Sequence, residues 1–180
     1  DYFHGRIGPD EILKEGRAIC HITDPVFGKM IMEGKKNLSF DDRLVQKAVE
    51  VLINHWERED NFSLVTFIPS INKPSLVPEI SKKIAEKINV PFVELIKKVK
   101  DTLPQKTMKN STYKKNNLDG AFEIIENFEH IGKNGNILLI DDIVESGWTF
   151  TIAGALLRKF DYGNVYPFAL GYRKGEAIIE

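Results

Sequence analysis

Residues 137–151 read ILLIDDIVESGWTFT. Four aliphatic residues, Ile137 to Ile140, have the length and branching of a buried strand. Asp141 and Asp142 follow at once, then a short polar turn, then an apolar pattern from Thr149 that reads as a helix. A strand running through a tight turn into a helix is the unit of an α/β fold. Strands that alternate with helices along the rest of the chain argue for a mainly parallel sheet. Such sheets bind ligands beyond the carboxyl ends of their strands. A strand over 136–140 therefore places both aspartates at that end, on the line between core and solvent.

Adjacent carboxylates repel, by about 3 kcal/mol at roughly 6 Å and an effective dielectric near 20. A pair kept at a strand end calls for a cation, or for hydroxyl donors from which to accept. The next residues, Val144-Glu145-Ser146-Gly147-Trp148-Thr149, lead into a helix N-terminus. Consecutive backbone N–H groups there, with the Ser146 and Thr149 hydroxyls, form a phosphate cradle. Gly147 permits a backbone angle or a close approach that other residues resist. Acceptors for hydroxyls and donors for phosphate thus lie a few residues apart, which suits a sugar phosphate. The alternative is plainer: a solvated Asp-Asp pair ahead of a capped helix, common in α/β proteins.

The remaining sequence sets bounds. At 180 residues the chain is long enough for one compact domain with a full core. Apolar content of 42% and charged content of 28% are ordinary for a globular protein. The net charge of −1 gives no global pull toward nucleic acid or membrane. The single cysteine, Cys20, excludes an internal disulfide, so a reducing cytoplasm is the expected compartment. No apolar run approaches a membrane span, and no stretch reads as a signal peptide. The chain opens on Asp1, so it is read as a piece of something longer. The histidines His4, His21, His55 and His130 show no metal-ligand spacing with one another or with Cys20. The Gly-Lys pairs at 28, 34 and 132 lack the following hydroxyl of an ATP-binding loop, so the chain is not itself an ATP-driven motor.

Along the chain, residues 1–38 carry no clear pattern. Ser39-Phe40-Asp41-Asp42 resembles a capping box with Ser39 as the cap. The helix that follows puts Leu44, Ala48, Val51 and Leu52 on one face. Phe62 to Ile68 reads as a buried strand stopped by Pro69, Leu76 to Ile88 as a helix, and Val90 to Val93 as a short strand. Residues 97–118 are lysine-rich and turn-prone, and suggest a long mobile loop of functional type. Gly120 to His130 is open between helix and strand. Thr149 to Phe160 reads as a helix and Val165 to Leu170 as a strand.

The stretch ILLIDDIVESGWT resembles the phosphoribosyl-pyrophosphate (PRPP) motif of type I phosphoribosyltransferases. The resemblance implies a three-layer α/β fold, with residues 1–60 as an N-terminal cap or hood and 61–180 as the core. It implies that Asp141 and Asp142 hold the ribose hydroxyls and act in catalysis. It assigns the 5′-phosphate to Val144, Glu145, Ser146, Gly147, Trp148 and Thr149. Residues 67–74 stand where the family keeps its pyrophosphate loop, with Ser70 and Lys73 as the ligand-binding residues. The 97–118 stretch, with Gln105 and Lys106, stands where a flexible loop closes over PRPP. Magnesium enters with PRPP rather than through a protein cage.

A narrower likeness joins VTFIPSINKPSLV, LPQKTMKNSTYKKNNLDGAF, DDIVESGWTFT and YPFAL. Together they resemble the phosphoribosyltransferase-like domain at the C-terminus of bacterial RecQ-type DNA helicases. That group is akin to ComF proteins, which share the pattern seen here as Gln105, Asn117 and Gly120-Ala121-Phe122. Two functions follow from the resemblance. One is binding of PRPP or a related nucleotide, with transfer of phosphoribosyl to a nucleobase. The other is a non-catalytic sensor or docking domain of a helicase. Candidate partners are DNA, met by the lysines of 97–118, and a second copy of the chain.

Two turn residues depart from the family pattern. Glu145 stands where threonine is common. It is either a general base toward a purine nitrogen or a side chain turned to solvent that lends only its N–H. Trp148 stands where a small residue is usual, and either stacks on a base or packs against the sheet.

Overall fold

The computed structural model describes residues 12–57, 61–102, 120–125, 135–160 and 162–173. Its centre is a four-stranded parallel sheet made of β1 (Arg17–His21), β2 (Phe62–Phe67), β5 (Asn136–Val144) and β6 (Val165–Tyr172), in the order β1-β6-β5-β2. The segment after Val90 adds the rudiment of a fifth strand. Phe92 bridges Val65 in parallel, Val65 N–H donates to Pro91 O at 2.8 Å and Val93 N–H to Val65 O at 2.9 Å. A short antiparallel ribbon joins β3 (Ile96–Lys98) to β4 (Phe122–Ile124).

Helices α1 (Phe27–Asn37), α2 (Asp42–Asn54) and α3 (Leu76–Lys87) cover one face of the sheet. There Ile31, Leu44, Leu52, Ile80 and Ile84 pack with Leu138, Ile140 and Phe168. Helix α4 (Trp148–Lys159) and the ribbon cover the other face, where Phe150, Ala153, Leu156 and Leu95 pack with Ile137 and Leu139. From Ile137 to Ile140, alternate residues of β5 therefore serve opposite cores, as the two-residue period of a strand requires. The result is a three-layer α/β architecture with a mainly parallel sheet flanked by helices. Among the described residues no helix is long and apolar enough to cross a membrane.

Several sequence expectations change. The strand expected over 136–140 runs on to Val144, because β6 keeps pairing with it through Asp141↔Ala169 and Val144↔Tyr172. The cap of α2 is Asp41 rather than Ser39: its carboxylate accepts from Arg43 N–H at 2.9 Å. The first residues of the expected 97–118 loop belong to β3, and residues 103–119 lie outside the described part. Residues 122–124, left open between helix and strand, form β4. The described residues of the 1–60 segment supply β1, α1 and α2 to the same sheet and core.

Candidate functional site

The site begins where β2 and β5 part. Ile68 N–H donates to Ile140 O at 2.8 Å, and Pro69 then turns the chain away. Strand β5 continues beside β6 alone, so Asp141 and Asp142 have a strand on one side and an open crevice on the other. The connection after β2 goes to α3 on one face, and the connection after β5 goes to α4 on the other. A divergence of this kind at carboxyl ends is where open parallel sheets hold ligands.

The aspartates differ in surroundings. Asp142 lies on the α1 face, where Lys35 Nζ is 2.6 Å from its Oδ2. Its Oδ1 accepts from Ile143 N–H at 2.6 Å. Asp141 accepts from Asp142 N–H at 2.8 Å. Burial, and next the Asp142 charge, push the Asp141 carboxyl up from 3.8 to about 8, against the pull of that N–H, Lys35 and Lys98. Burial likewise draws the Lys98 ammonium down, and its Nζ donates to Thr102 Oγ1 at 2.8 Å.

The turn after β5 ends on Gly147, whose φ of 72° is left-handed and favours glycine. Helix α4 starts on the next residue, so its first N–H groups point back toward the crevice with the positive end of the helix dipole. The Glu145 side chain is 21% exposed and paired. Its Oε1 accepts from Arg173 Nε at 2.6 Å, and Arg173 N–H donates to Val144 O at 3.0 Å. Trp148 is partly buried and packs against the α4-side core.

Two lobes make up the cleft, of about 470 Å³ and about 350 Å³. The turn residues Glu145, Ser146 and Gly147, with Met32 and Arg173, line the first. Ser70, Asn72, Lys98 and Asp142 line the second. Lys35, Lys73, Asp141 and Thr149 line both. Lys73 does more than line the wall: its Nζ donates to the Lys35 carbonyl in the last turn of α1, and its N–H donates to Ser70 Oγ at 3.3 Å.

The structure thus brings Ser70, Lys73, Asp141, Asp142, Val144, Glu145, Ser146, Gly147 and Thr149 to one cleft, while Trp148 packs beneath it. Gln105 and Lys106 lie outside the described residues. Sequence reasoning missed Lys35 and Arg173, and reached Lys98 only as one of the lysines of the 97–118 stretch. Lys35 sits in a stretch without clear periodicity, and only its ion pair reveals it. Arg173 follows the last strand at a place where the sequence shows no motif. Among the described residues no group of three or more metal-binding side chains is present. The two aspartates suit a magnesium ion only if phosphate oxygens complete its shell.

No family model matches the chain, and no curated protein matches it. Solved structures do resemble it in chain path. Adenine phosphoribosyltransferase from Saccharomyces cerevisiae, complexed with an imino-altritol bisphosphate and adenine, is 23% identical. This chain covers 68% of it with 71% of its own length, at a TM-score of 0.45. The Trypanosoma brucei enzyme in complex with AMP, pyrophosphate and ribose-5-phosphate is 15% identical, with 79% and 67% coverage and a TM-score of 0.48. A hypothetical protein from Neisseria gonorrhoeae with bound ppGpp is 12% identical, with 75% and 69% coverage and a TM-score of 0.48. At these scores no residue's role carries over to this chain; what the chain resembles, in path, is a set of structures that includes phosphoribosyltransferases.

Proposed function

We propose that this chain is a phosphoribosyltransferase-like domain that binds PRPP, or a related ribose 5-phosphate ester, in the cleft beyond β2 and β5. One observation carries the reading. The aspartate pair, the glycine turn at the start of α4 and the lysines of three other segments line a single crevice at the carboxyl ends of parallel strands. In this reading Asp141 and Asp142 accept from the ribose hydroxyls, and residues 144–149 hold the 5′-phosphate by main-chain N–H groups. Ser70 and Lys73 face the pyrophosphate, with Gln105 and Lys106 closing from the loop. The segment up to residue 60 caps the site. Magnesium, which would enter with PRPP, would supply charge neutralisation on the leaving group. The aspartates, once Asp141 has given up the proton that burial holds on it, stabilise positive charge that develops on the ribose as the bond to pyrophosphate breaks.

Calorimetry with PRPP and magnesium tests the binding, followed by a screen for pyrophosphate release across nucleobases. We expect saturable binding that disappears in the variant carrying both Asp141→Asn and Asp142→Asn. Absence of binding, or binding untouched by that pair, overturns the assignment.

A second reading has its own support. Glu145, the residue placed to act as base, is engaged by Arg173. A domain that binds the ester without transferring it, as a sensor or docking module of a RecQ-type helicase, accords with that pair. Binding without pyrophosphate release for any base selects it. DNA binding that weakens steeply with salt and depends on the 97–118 lysines extends it to nucleic acid.

A further inference from the structure

Lys35 is the cation that the two lobes of the cleft share with Lys73. Its ammonium is 2.6 Å from Asp142 Oδ2, with the side chain 29% exposed. An ammonium carries three donors, and the salt bridge to Asp142 uses one. The backbone of Lys35 is held as well, because Lys73 Nζ donates to its carbonyl. The helix bearing Lys35 is anchored in the core by Ile31 and by the close approach of Gly28, where an added Cβ would stand 2.5 Å from Ile22 O. The charge is therefore positioned before any ligand arrives. A molecule that reaches from the glycine turn of the first lobe to Ser70 and Lys98 of the second must pass it.

We propose that Lys35, delivered by α1 of the N-terminal segment, is a ligand-binding residue that bridges Asp142 and the phosphoryl oxygens of a bound phosphate ester; this rests on the phosphate-ester reading of the cleft. With Asp142 accepting from sugar hydroxyls, the same ammonium neutralises the carboxylate and donates to the anion beside it. Lys35 thus joins the sugar end and the phosphoryl end of the ligand.

The test measures binding of PRPP with magnesium, and of inorganic pyrophosphate alone, to wild type and to Lys35→Met, Lys35→Arg and Lys29→Met. Lys29 is exposed on α1, facing Glu33 at 3.9 Å. Removing a charged donor should weaken both ligands by about tenfold or more in Lys35→Met. Lys35→Arg should recover most of the loss, and Lys29→Met should match wild type. Thermal unfolding shows whether each variant is folded. In the wild-type protein PRPP should also shield Lys35, but not Lys29, from amine acylation read by mass spectrometry. That readout needs no variant, and a purely structural salt bridge to Asp142 would not move it. Wild type that binds PRPP while Lys35→Met binds equally well, or acylation of Lys35 unaffected by the ligand, overturns the role of Lys35. Wild type that binds pyrophosphate through Lys35 but not PRPP keeps Lys35 as an anion-binding residue and overturns the ribose reading. Wild type that binds neither overturns both.

Discussion

In β5, Asp142 meets Lys35 of α1 at 2.6 Å, whereas Asp141 is buried within reach of the charges of Asp142, Lys35 and Lys98. The sequence showed two carboxylates side by side and the need for something to relieve them. It could not show that they would be relieved differently, because their partners come from α1 and β3, distant in the chain. Asp142 is paired, whereas Asp141 is left with its carboxyl pushed up to about 8, chiefly by burial. The folded state then holds a proton on Asp141 that the unfolded state releases near 3.8. A raised folded pKa contributes stability that is full below the unfolded value and is lost as pH rises through the folded one. Stability should therefore fall between about pH 4 and pH 8 on account of this group. Asp141→Asn removes the ionisable group, so thermal unfolding of the variant should show a flatter pH profile. At pH 8 it should be more stable than wild type by about 1–3 kcal/mol. A variant as pH-dependent as wild type over that range would sink the account. An Asp141 that costs stability at neutral pH is what a residue kept for ligand rather than for fold looks like.

Elements were legible where their period was clean. Leu76, Ile80 and Ile84 step along α3 and all three are buried, and β2, β5 and β6 are largely apolar and buried strands. Helix α1 was not legible. Its sequence FGKMIMEGKKN carries two glycines, which weaken a helix reading. Gly28 is required by the approach to Ile22 O, and Gly34 by the ring of Phe40, whose Cδ1 lies 2.4 Å from the position of an added Cβ. These demands come from packing, which composition does not display. Strand β1 hid for a similar reason: RAICH is half-buried throughout and lacks an apolar run. The start of α2 was off by two residues because Ser39 and Asp41 both precede a helical pattern. The side chain that reaches an N–H is that of Asp41, and Arg43 holds it from the other side at 2.7 Å. Asp41→Ala should accordingly lower the melting temperature by a few degrees, while Ser39→Ala leaves it near wild type. The reverse order of effects would return the cap to Ser39.

At the scale of the whole molecule, the N-terminal segment decides whether the part from residue 61 onward is a unit on its own. Strand β1 pairs with β6 from Arg17↔Phe168 to His21↔Tyr172, and His21 Nε2 lies 3.1 Å from the Arg173 carbonyl. Thr23 N–H donates to His21 Nδ1, so that ring nitrogen accepts and Nε2 carries the proton toward Arg173 O. Helices α1 and α2 bury Ile31, Leu44, Val45, Ala48 and Leu52 against the same face of the sheet as α3. A fragment beginning at residue 61 would lose β1 and both helices. It would lay Leu138, Ile140 and Phe168 open over much of one face, together with an unpaired edge on β6. It would also lose Lys35 and leave Lys73 without the carbonyl it caps. We expect that fragment to be aggregation-prone and to unfold without a cooperative transition, whereas the chain from residue 12 onward unfolds in one. Calorimetry of the two decides between them. A cooperative, monomeric 61–180 fragment would mean that the cap is an appendage to the site; loss of cooperativity would mean that the segment carrying Lys35 is part of the same folding unit as the aspartates it faces.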